Sequence, residues 1–119
     1  MNAIEKGFLL LQKALDGSAL RHQVIAGNLA NVNTPGFHTR DVEFQKALAA
    51  ALEGRGGDIE DVKPEIFEAE GLPARQDGNN VDLDKELVKM IKNALYYSTL
   101  TRITRAKISM LRSAITGRS

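Results

Sequence analysis

The sequence predicts a mainly α-helical protein, in which long N- and C-terminal helices form an antiparallel coiled-coil-like pair around an irregular or short-strand middle segment. Apolar residues recur at alternating spacings of four and three near both ends of the chain, which is typical of helices with one buried seam. The middle is rich in glycine, proline and acidic residues, which interrupt helices. We therefore expect a long helix over 1–33, a turn, short helix and irregular loop region over 34–80, and a second long helix over 81–119.

The composition indicates an assembly component. The 119 residues include no Trp, four Phe and two Tyr, so one small domain would have a marginal core if it stood alone. Helices rich in Ala, Leu, Lys and Glu are better suited to bury their seams against partner chains. Cysteine is absent, so disulfides, thiol chemistry and Cys-ligated zinc are excluded.

The N-terminal seam runs over about four heptads and becomes polar in its middle. The C-terminal seam does the same. Buried polar residues fix the register of paired helices at some cost in stability, so we interpret the polar middles as register devices. The N-terminal seam consists of Ile4, Phe8, Leu11, Leu15, Ser18, His22, Ile25, Leu29 and Val32, and the C-terminal seam of Leu83, Leu87, Met90, Ala94, Tyr97, Thr101, Thr104, Ile108, Leu111 and Ile115.

These seams predict two helices of about 30 and 34 residues, each about 45–50 Å long, that pack against each other. Four small residues of the first helix, Gly17, Ala19, Ala26 and Ala30, would permit close approach of the second. The first helix is expected to stop at Asn31 and Asn33, which tolerate the left-handed conformation. Pro35 and Gly36 then fit the two central positions of a type II turn, with positive φ at Gly36.

The remaining middle is predicted in less detail. Residues 39–52 indicate an extended piece that leads into a short helix, and residues 58–75 indicate a loop or short strands. Residues 77–80, Asp-Gly-Asn-Asn, are a turn signal, and Asp82, Asp84 and Glu86 favour a helix start. The same acids do not form a calcium loop, because the glycine stands at the second place and not at the sixth.

The segment that ends the first helix resembles the N-terminal signature of bacterial flagellar axial proteins of the rod and hook class. The residues that carry this resemblance are Ala26, Asn28, Leu29, Asn31, Asn33, Thr34, Pro35, Gly36 and Phe37. Residues 77–87 look like the opening of the C-terminal helix in the proximal rod class, which also has short chains. Asn93 and Tyr96 match the Asn-x-x-Tyr of axial C-terminal helices, although many relatives have Gln where this chain has Tyr97.

The resemblance implies a structural subunit of the proximal rod that polymerises through its terminal helices into the drive-shaft tube around the export channel. It implies contacts with itself, with FlgC and FliE, and with the MS ring protein FliF or the export gate FlhB. The implied location is the periplasmic part of the basal body, reached by type III export without a cleavable signal peptide. The implied assembly motif is Asn28, Asn31, Asn33, Thr34, Pro35, Gly36, Phe37, Asn93 and Tyr96.

Enzymatic, cofactor, metal and small-molecule sites are not predicted. Ser18 and His22 lie one helical turn apart, but Asp16 does not share their face, so a seam histidine is the plainer interpretation. Two other functions stay open: a cytoplasmic coiled-coil adaptor and a nucleic-acid-binding protein. The latter would use the acid-free basic stretch Arg102, Arg105, Lys107, Arg112 and Arg118, although such residues also suit a helix C-terminus.

Charge is unevenly distributed around a net value of +1. Acidic residues predominate over 41–70, whereas residues 87–119 contain basic residues and no acid. Such asymmetry either pairs neighbouring subunits head to flank or is solvated on opposite faces of the chain.

Overall fold

The computed structural model describes residues 1–117, and two long antiparallel helices dominate it. α1 spans Ala3–Ala30 and α3 spans Leu83–Thr116. Between them lie strand β1 (Arg40–Glu43), helix α2 (Gln45–Leu52), a 3₁₀ turn (Ile59–Asp61) and strand β2 (Glu65–Glu68). The predicted fold class is confirmed. Arg118, assigned above to the basic stretch, lies outside the described residues.

The start and end of α1 follow from local hydrogen bonds. The Asn2 side chain accepts a hydrogen bond from the Glu5 N–H and caps the first turn. The prediction that Asn31 and Asn33 adopt the left-handed conformation is wrong, because no non-glycine residue of the described chain has a positive φ. Asn31 instead stays near the helical region, with φ −103°, and its side-chain amide donates to the Gly27 carbonyl.

The turn after α1 is of the predicted kind. Gly36 has φ +75°, and the Phe37 N–H donates to the Thr34 carbonyl at 3.2 Å, which closes a four-residue turn around Pro35 and Gly36. Glycine adopts this φ without a Cβ clash, so the reversal of the chain depends on Gly36.

The middle segment packs against α1 and supplies the centre of the core. β1 pairs with β2 in antiparallel register, with Val42 opposite Ile66. Phe44, 1% exposed, lies between the strand and α2, and its ring rests on Gly17. Gly17 was expected to let α3 approach α1, but it makes room for Phe44 instead: a Cβ built there would lie 2.5 Å from the ring. The buried apolar cluster comprises Leu11, Ala14, Val42, Phe44, Leu48, Ile59, Val62 and Leu100.

α3 turns a different face to α1 from the one its apolar spacing predicts. Its buried residues are Glu86, Asn93 and Leu100, seven apart. This face is favoured because its polar members find hydrogen-bond partners on α1, which offsets their burial. Met90, Thr101 and Thr104 of the predicted seam are half-buried, whereas its other residues are exposed in the single chain: Leu83, Leu87, Ala94, Tyr97, Ile108, Leu111 and Ile115. Their place in an assembly stays a prediction.

Most residues of the predicted N-terminal seam are at least half-buried in the single chain. Leu11, Ser18 and Ile25 are buried, and Phe8, Leu15, Leu29 and Val32 are half-buried. Ile4 and His22 are exposed, so the expectation of a seam histidine is wrong for the single chain.

The molecule is extended and exposes more surface than a compact protein of its mass. Its radius of gyration is 18.0 Å, against about 13.5 Å for a compact domain of this length. Its accessible surface is 8172 Å², against about 6,300 Å² for a compact monomer of 13.0 kDa. Within residues 1–117, no helix combines the length and apolarity needed to cross a bilayer.

Candidate assembly site

Two turns lie against each other at the end of the helix pair where α1 stops and α3 starts. One is the turn 31–37, and the other is the turn 75–82 that precedes α3. We call the contact between them the clasp. Because the two turns are about forty residues apart in sequence, their hydrogen bonds fix how the two long helices are placed relative to each other.

Asn79 is the central residue of the clasp and is fully buried. Its side-chain amide donates to the backbone carbonyls of Asn31 and Thr34, at 2.8 Å each. Its side-chain oxygen accepts from the Val81 N–H at 2.8 Å. One asparagine therefore gives a second hydrogen bond to two carbonyls of the first turn, each of which already accepts from a backbone N–H, and satisfies one N–H ahead of α3.

Backbone contacts extend the clasp on both sides of Asn79. The Gly36 N–H donates to the Asp77 carbonyl at 2.8 Å, and the Thr39 N–H donates to the Asn80 side-chain oxygen at 2.6 Å. A Cβ built at Gly78 would lie 3.4 Å from the Gly36 Cα, so the two glycines touch closely. Arg75 spans the contact, since its guanidinium donates to the carbonyls of Val81 and Val32.

Asn28, in the last turn of α1, ties three elements together. Its amide donates to the Arg40 carbonyl at 2.8 Å, and its side-chain oxygen accepts from the Arg40 N–H at 3.0 Å. The same amide donates to the Glu86 carboxylate at 2.9 Å. The side chain therefore acts as an extra strand partner for β1 and holds α3 at the same time.

A row of alternating charges leads from the buried Glu86 carboxylate to Arg21. Lys89 donates to Glu86 at 3.1 Å and lies 3.9 Å from Asp41. Arg21 lies 3.6 Å from Asp41, and its guanidinium carbon lies 4.8 Å from the centre of the Phe44 ring. A buried carboxylate needs such compensation, because an unpaired charge in the interior is strongly unfavourable.

A polar pair joins the middles of the two long helices. The Ser18 hydroxyl donates to the Asn93 side-chain oxygen at 3.0 Å, and the Asn93 amide donates to the Ser18 carbonyl at 2.8 Å. Both residues are buried. Ser18 is therefore occupied by Asn93, and its hydroxyl does not donate to His22. Tyr96, one turn along α3, packs its ring 6.4 Å from that of Phe44.

The predicted motif residues are placed unevenly. Asn28 and Asn93 are buried, and Asn31, Phe37 and Tyr96 are half-buried in the contacts described. Asn33, Thr34, Pro35 and Gly36 are exposed and leave a free surface on the outer side of the turn. Whether this surface contacts a neighbouring subunit stays a prediction.

Sequence reasoning missed Asn79, Asn80 and Glu86 as partners of the first turn. Asp77-Gly78-Asn79-Asn80 was interpreted as a turn signal, and Glu86 as an acid that suits a helix start. A second cluster of asparagines forty residues beyond the first was the available signal. Within residues 1–117, no group of three or more His, Asp or Glu side chains is arranged to hold a metal ion.

Comparison with known proteins identifies the class to which this arrangement belongs. Residues 10–38 match the family model of the flagella basal body rod protein. The chain is 33% identical over 127 residues to the flagellar basal body rod protein FlgB of Aeromonas hydrophila, an alignment that covers 97% of this chain and 96% of that protein. It is 35% identical over 122 residues to FlgB of Borrelia hermsii (87% and 90% covered). It is 30% identical over 117 residues to FlgB of Bacillus subtilis strain 168 (90% and 91% covered).

Two paired terminal helices, tied at one end through the asparagine-rich turn, are thus the arrangement found in this chain, which is a structural protein of the bacterial flagellar basal body rod. The family model reaches from the third turn of α1 through the turn 31–37, which is the N-terminal half of the clasp. The chain belongs to the FlgB family of basal body rod proteins.

Proposed function

We propose that this chain is a subunit of the proximal rod and polymerises through its terminal helices into the tube around the export channel. The observation that carries this proposal is a stripe on α3, formed by Leu83, Leu87, Ile91 and Leu95. These residues recur every four positions and are 43–65% exposed. At 100° per residue the stripe winds around α3: Leu83 and Leu87 lie about 60–120° from the face that holds Glu86 and Asn93, and Ile91 and Leu95 lie on the opposite side. Within residues 1–117 no element packs over this stripe, so a neighbouring subunit is the natural cover.

The extended shape supports the same proposal. The surface excess over a compact monomer is about 1,800 Å², which exceeds the roughly 800 Å² that one partner buries in a standard interface. A rod subunit has several neighbours and needs several such surfaces. A structural role of this kind calls for no catalytic residue or cofactor, and we expect no enzymatic activity.

Further parts of the proposal rest on the family. We propose that the neighbours include other copies of this chain, FlgC and FliE, with FliF or FlhB at the base of the rod. We also propose a periplasmic position, reached through the flagellar export apparatus without a cleavable signal peptide. The matches name rod proteins and favour neither a nucleic-acid-binding function nor a cytoplasmic adaptor.

The experiment is to delete the gene in the bacterium that encodes this chain and to isolate hook-basal bodies from deleted and restored strains. Basal bodies that stop at the MS ring in the deletion strain, and antibody signal in the proximal rod of the restored strain, are expected. Normal basal bodies in the deletion strain would refute the proposal. A chain with Ile91→Glu, which places a carboxylate on the stripe, should fail to restore motility. The control, Lys85→Glu, places an exposed carboxylate on another side of α3 and should restore it.

A further inference from the structure

β2 is an edge strand with a single neighbouring element. It pairs with β1 over four residues, and within residues 1–117 it makes no other extensive contact. All four of its residues are exposed, with Ile66 at 53% and Phe67 at 45%. Two paired strands are marginally stable in water unless a third strand or a helix supports them. β1 packs on α1, whereas the outer side of β2 has no such support.

The outer edge of β2 carries free backbone groups. Hydrogen-bonded and non-hydrogen-bonded pairs alternate along an antiparallel ladder. The Ala69 N–H donates to the Thr39 carbonyl at 2.9 Å, so Phe67, two positions earlier, also bonds to β1. The N–H and C=O groups of Ile66 and Glu68 therefore point away from β1. Within residues 1–117 no other backbone group bonds to them, and both residues are exposed.

The outer edge of β1, by contrast, is closed by side chains. The Asn28 side chain bonds to both the N–H and the carbonyl of Arg40. The Val42 N–H donates to the Asp41 carboxylate, and the Val42 carbonyl accepts from the Arg21 guanidinium. A further strand can therefore join this sheet only along β2.

Two carboxylates face each other at one end of the sheet. Glu65 lies opposite Glu43 in the register, and neither forms a salt bridge within residues 1–117. The bases nearest to them in sequence, Lys63, Lys46 and Arg40, form no salt bridge there either. Like charges at opposite positions destabilise a strand pair. A cation placed beside Glu65 by a third strand would relieve this repulsion.

The other end of β2 is also acidic. The Glu68 carboxylate lies 3.5 Å from His38, which is charged only when protonated. Arg40 is opposite Glu68 in the register, but its guanidinium carbon lies over the Phe37 ring, 5.8 Å from the ring centre. The four residues of β2, Glu-Ile-Phe-Glu, thus present two exposed apolar side chains between two acids.

We infer that an extended segment of a different subunit, with the order base-apolar-apolar-base, joins the sheet along β2, an inference that rests on the proposed rod function. The backbone groups of Ile66 and Glu68 would bond to this segment, as in other cases of strand addition to a free sheet edge. Bases beside Glu65 and Glu68 and apolar side chains beside Ile66 and Phe67 match the edge. The order is the same for a parallel and an antiparallel partner, because the acids stand at both ends of β2.

A second copy of this chain does not supply such a segment. The order base-apolar-apolar-base occurs in the sequence only at Lys89–Lys92, and these residues lie inside α3. Pairing of β2 with β2 of another copy would bring four carboxylates and no base into one strand pair. The occupant is therefore a different chain.

A proline on the free edge tests the backbone contact. Ile66→Pro removes an N–H that points away from β1, so the ladder to β1 keeps its hydrogen bonds. Ile66→Ala removes the same side chain and keeps the N–H, which makes it the matched control. The two purified full-length chains should have the same urea midpoint. In basal bodies, Ile66→Pro should be recovered about five-fold less than Ile66→Ala, because a hydrogen bond is lost and the ring blocks the approaching strand.

Equal recovery of the two variants would overturn the inference. If Ile66→Pro lowers the urea midpoint, the same comparison is made with Glu68→Pro and Glu68→Ala, which change the second outward N–H.

Photochemical cross-linking identifies the occupant. The photoreactive p-benzoylphenylalanine replaces Phe67 in a tagged chain that is expressed beside wild-type chain, and isolated basal bodies are irradiated. Mass spectrometry of the linked peptides should find a segment of a different protein with the order base-apolar-apolar-base. Ile66→Pro in the same tagged chain should lower the linked yield about five-fold. The control carries the photoreactive residue in place of Ala47, which is exposed on α2, and should not link to that segment.

The outcomes separate this inference from the proposed function. Absence of the wild-type chain from basal bodies of motile cells refutes the rod function itself. Presence of the chain without a link at position 67, a link between two copies of this chain, or a linked peptide without that order refutes the strand addition and leaves the rod function intact.

A charge change provides a further readout. Glu65→Gln and Glu65→Lys should lower the linked yield about two-fold and about five-fold, as expected for the loss and the reversal of one exposed ion pair. Glu65→Lys also removes the repulsion from Glu43, so the free chain should not become less stable. A lower yield from an equally stable chain therefore reports binding and not folding. Equal yields in all three chains would overturn the assignment of a base beside Glu65.

Discussion

The amide of Asn28 donates a hydrogen bond to the Glu86 carboxylate at 2.9 Å, and both residues are 1% exposed. This bond joins the last turns of α1 to the first turn of α3. Because Asn28 also pairs with the Arg40 backbone, one side chain sets the positions of both helices and of β1. The buried polar residues of this helix pair therefore hold elements of the fold together. Although they are few, replacing one of them should lower the free energy of unfolding markedly.

Asn28→Ala should destabilise the protein by about 3–5 kcal/mol, because it leaves a buried carboxylate and two backbone groups short of partners. Urea denaturation of purified wild-type and variant chains measures the change. Gln23→Ala, an exposed change in the same helix, is the matched control and should stay within about 0.5 kcal/mol of wild type. A similar small loss in both variants would contradict the role given to Asn28.

Two glycines of α1 should respond in opposite directions to the same substitution. Gly17→Ala places a methyl group 2.5 Å from the Phe44 ring and should destabilise by about 1–3 kcal/mol. Gly27→Ala meets no atom within 4 Å and should stabilise by about 0.5–1 kcal/mol through helix propensity. Thermal unfolding followed by circular dichroism compares them. Stabilisation by both would show that the Phe44 ring has room to move away.

Asn79→Asp tests the clasp with almost no change in side-chain size. The carboxylate cannot donate to the carbonyls of Asn31 and Thr34, which then lose a partner and face a negative charge. We expect a loss of about 2–4 kcal/mol in urea denaturation and faster amide exchange in residues 75–82. Asn33→Asp, at an exposed position in the facing turn, should leave both quantities nearly unchanged. Equal exchange in the two variants would rule out Asn79 as the centre of the contact.

The helices were predictable from sequence because their signals are local. Apolar spacing located α1 and α3, and the Pro35-Gly36 pair located the turn with positive φ. The packing face of α3 was not predictable from spacing, since apolar residues form the exposed stripe while Glu86 and Asn93 are buried. A polar residue becomes the better core residue when its partners lie on another element, and a single-helix pattern contains no information about such partners.

The same limit applies to the clasp. The asparagine-rich turn was recognisable as a motif. Its contact with Asn79, however, depends on the path of the chain, which returns to this turn only about forty residues later. Phe44 shows the same limit in the core. We expected Gly17 to allow close approach of the second helix, but its small size makes room for the Phe44 ring, which comes from the middle segment. Local chemistry identified which residues matter more reliably than it identified what they touch.

Gly36→Val should impair motility more than Ala47→Val, because only the first change forces a β-branched residue to a φ near +75°. The strain should reach about 1–3 kcal/mol, and relief of that strain would move Gly36 away from Gly78 and break its hydrogen bond to Asp77. Ala47 is exposed on α2, so the same branched side chain is tolerated there. Swimming in soft agar and the yield of basal bodies compare the two strains. The outer side of the turn is exposed, so Asn33→Ala, which leaves φ at Gly36 unchanged, separates the two causes. Normal assembly of this variant would assign the defect of the glycine variant to the turn geometry, whereas a matching defect would assign it to a neighbour bound at this surface.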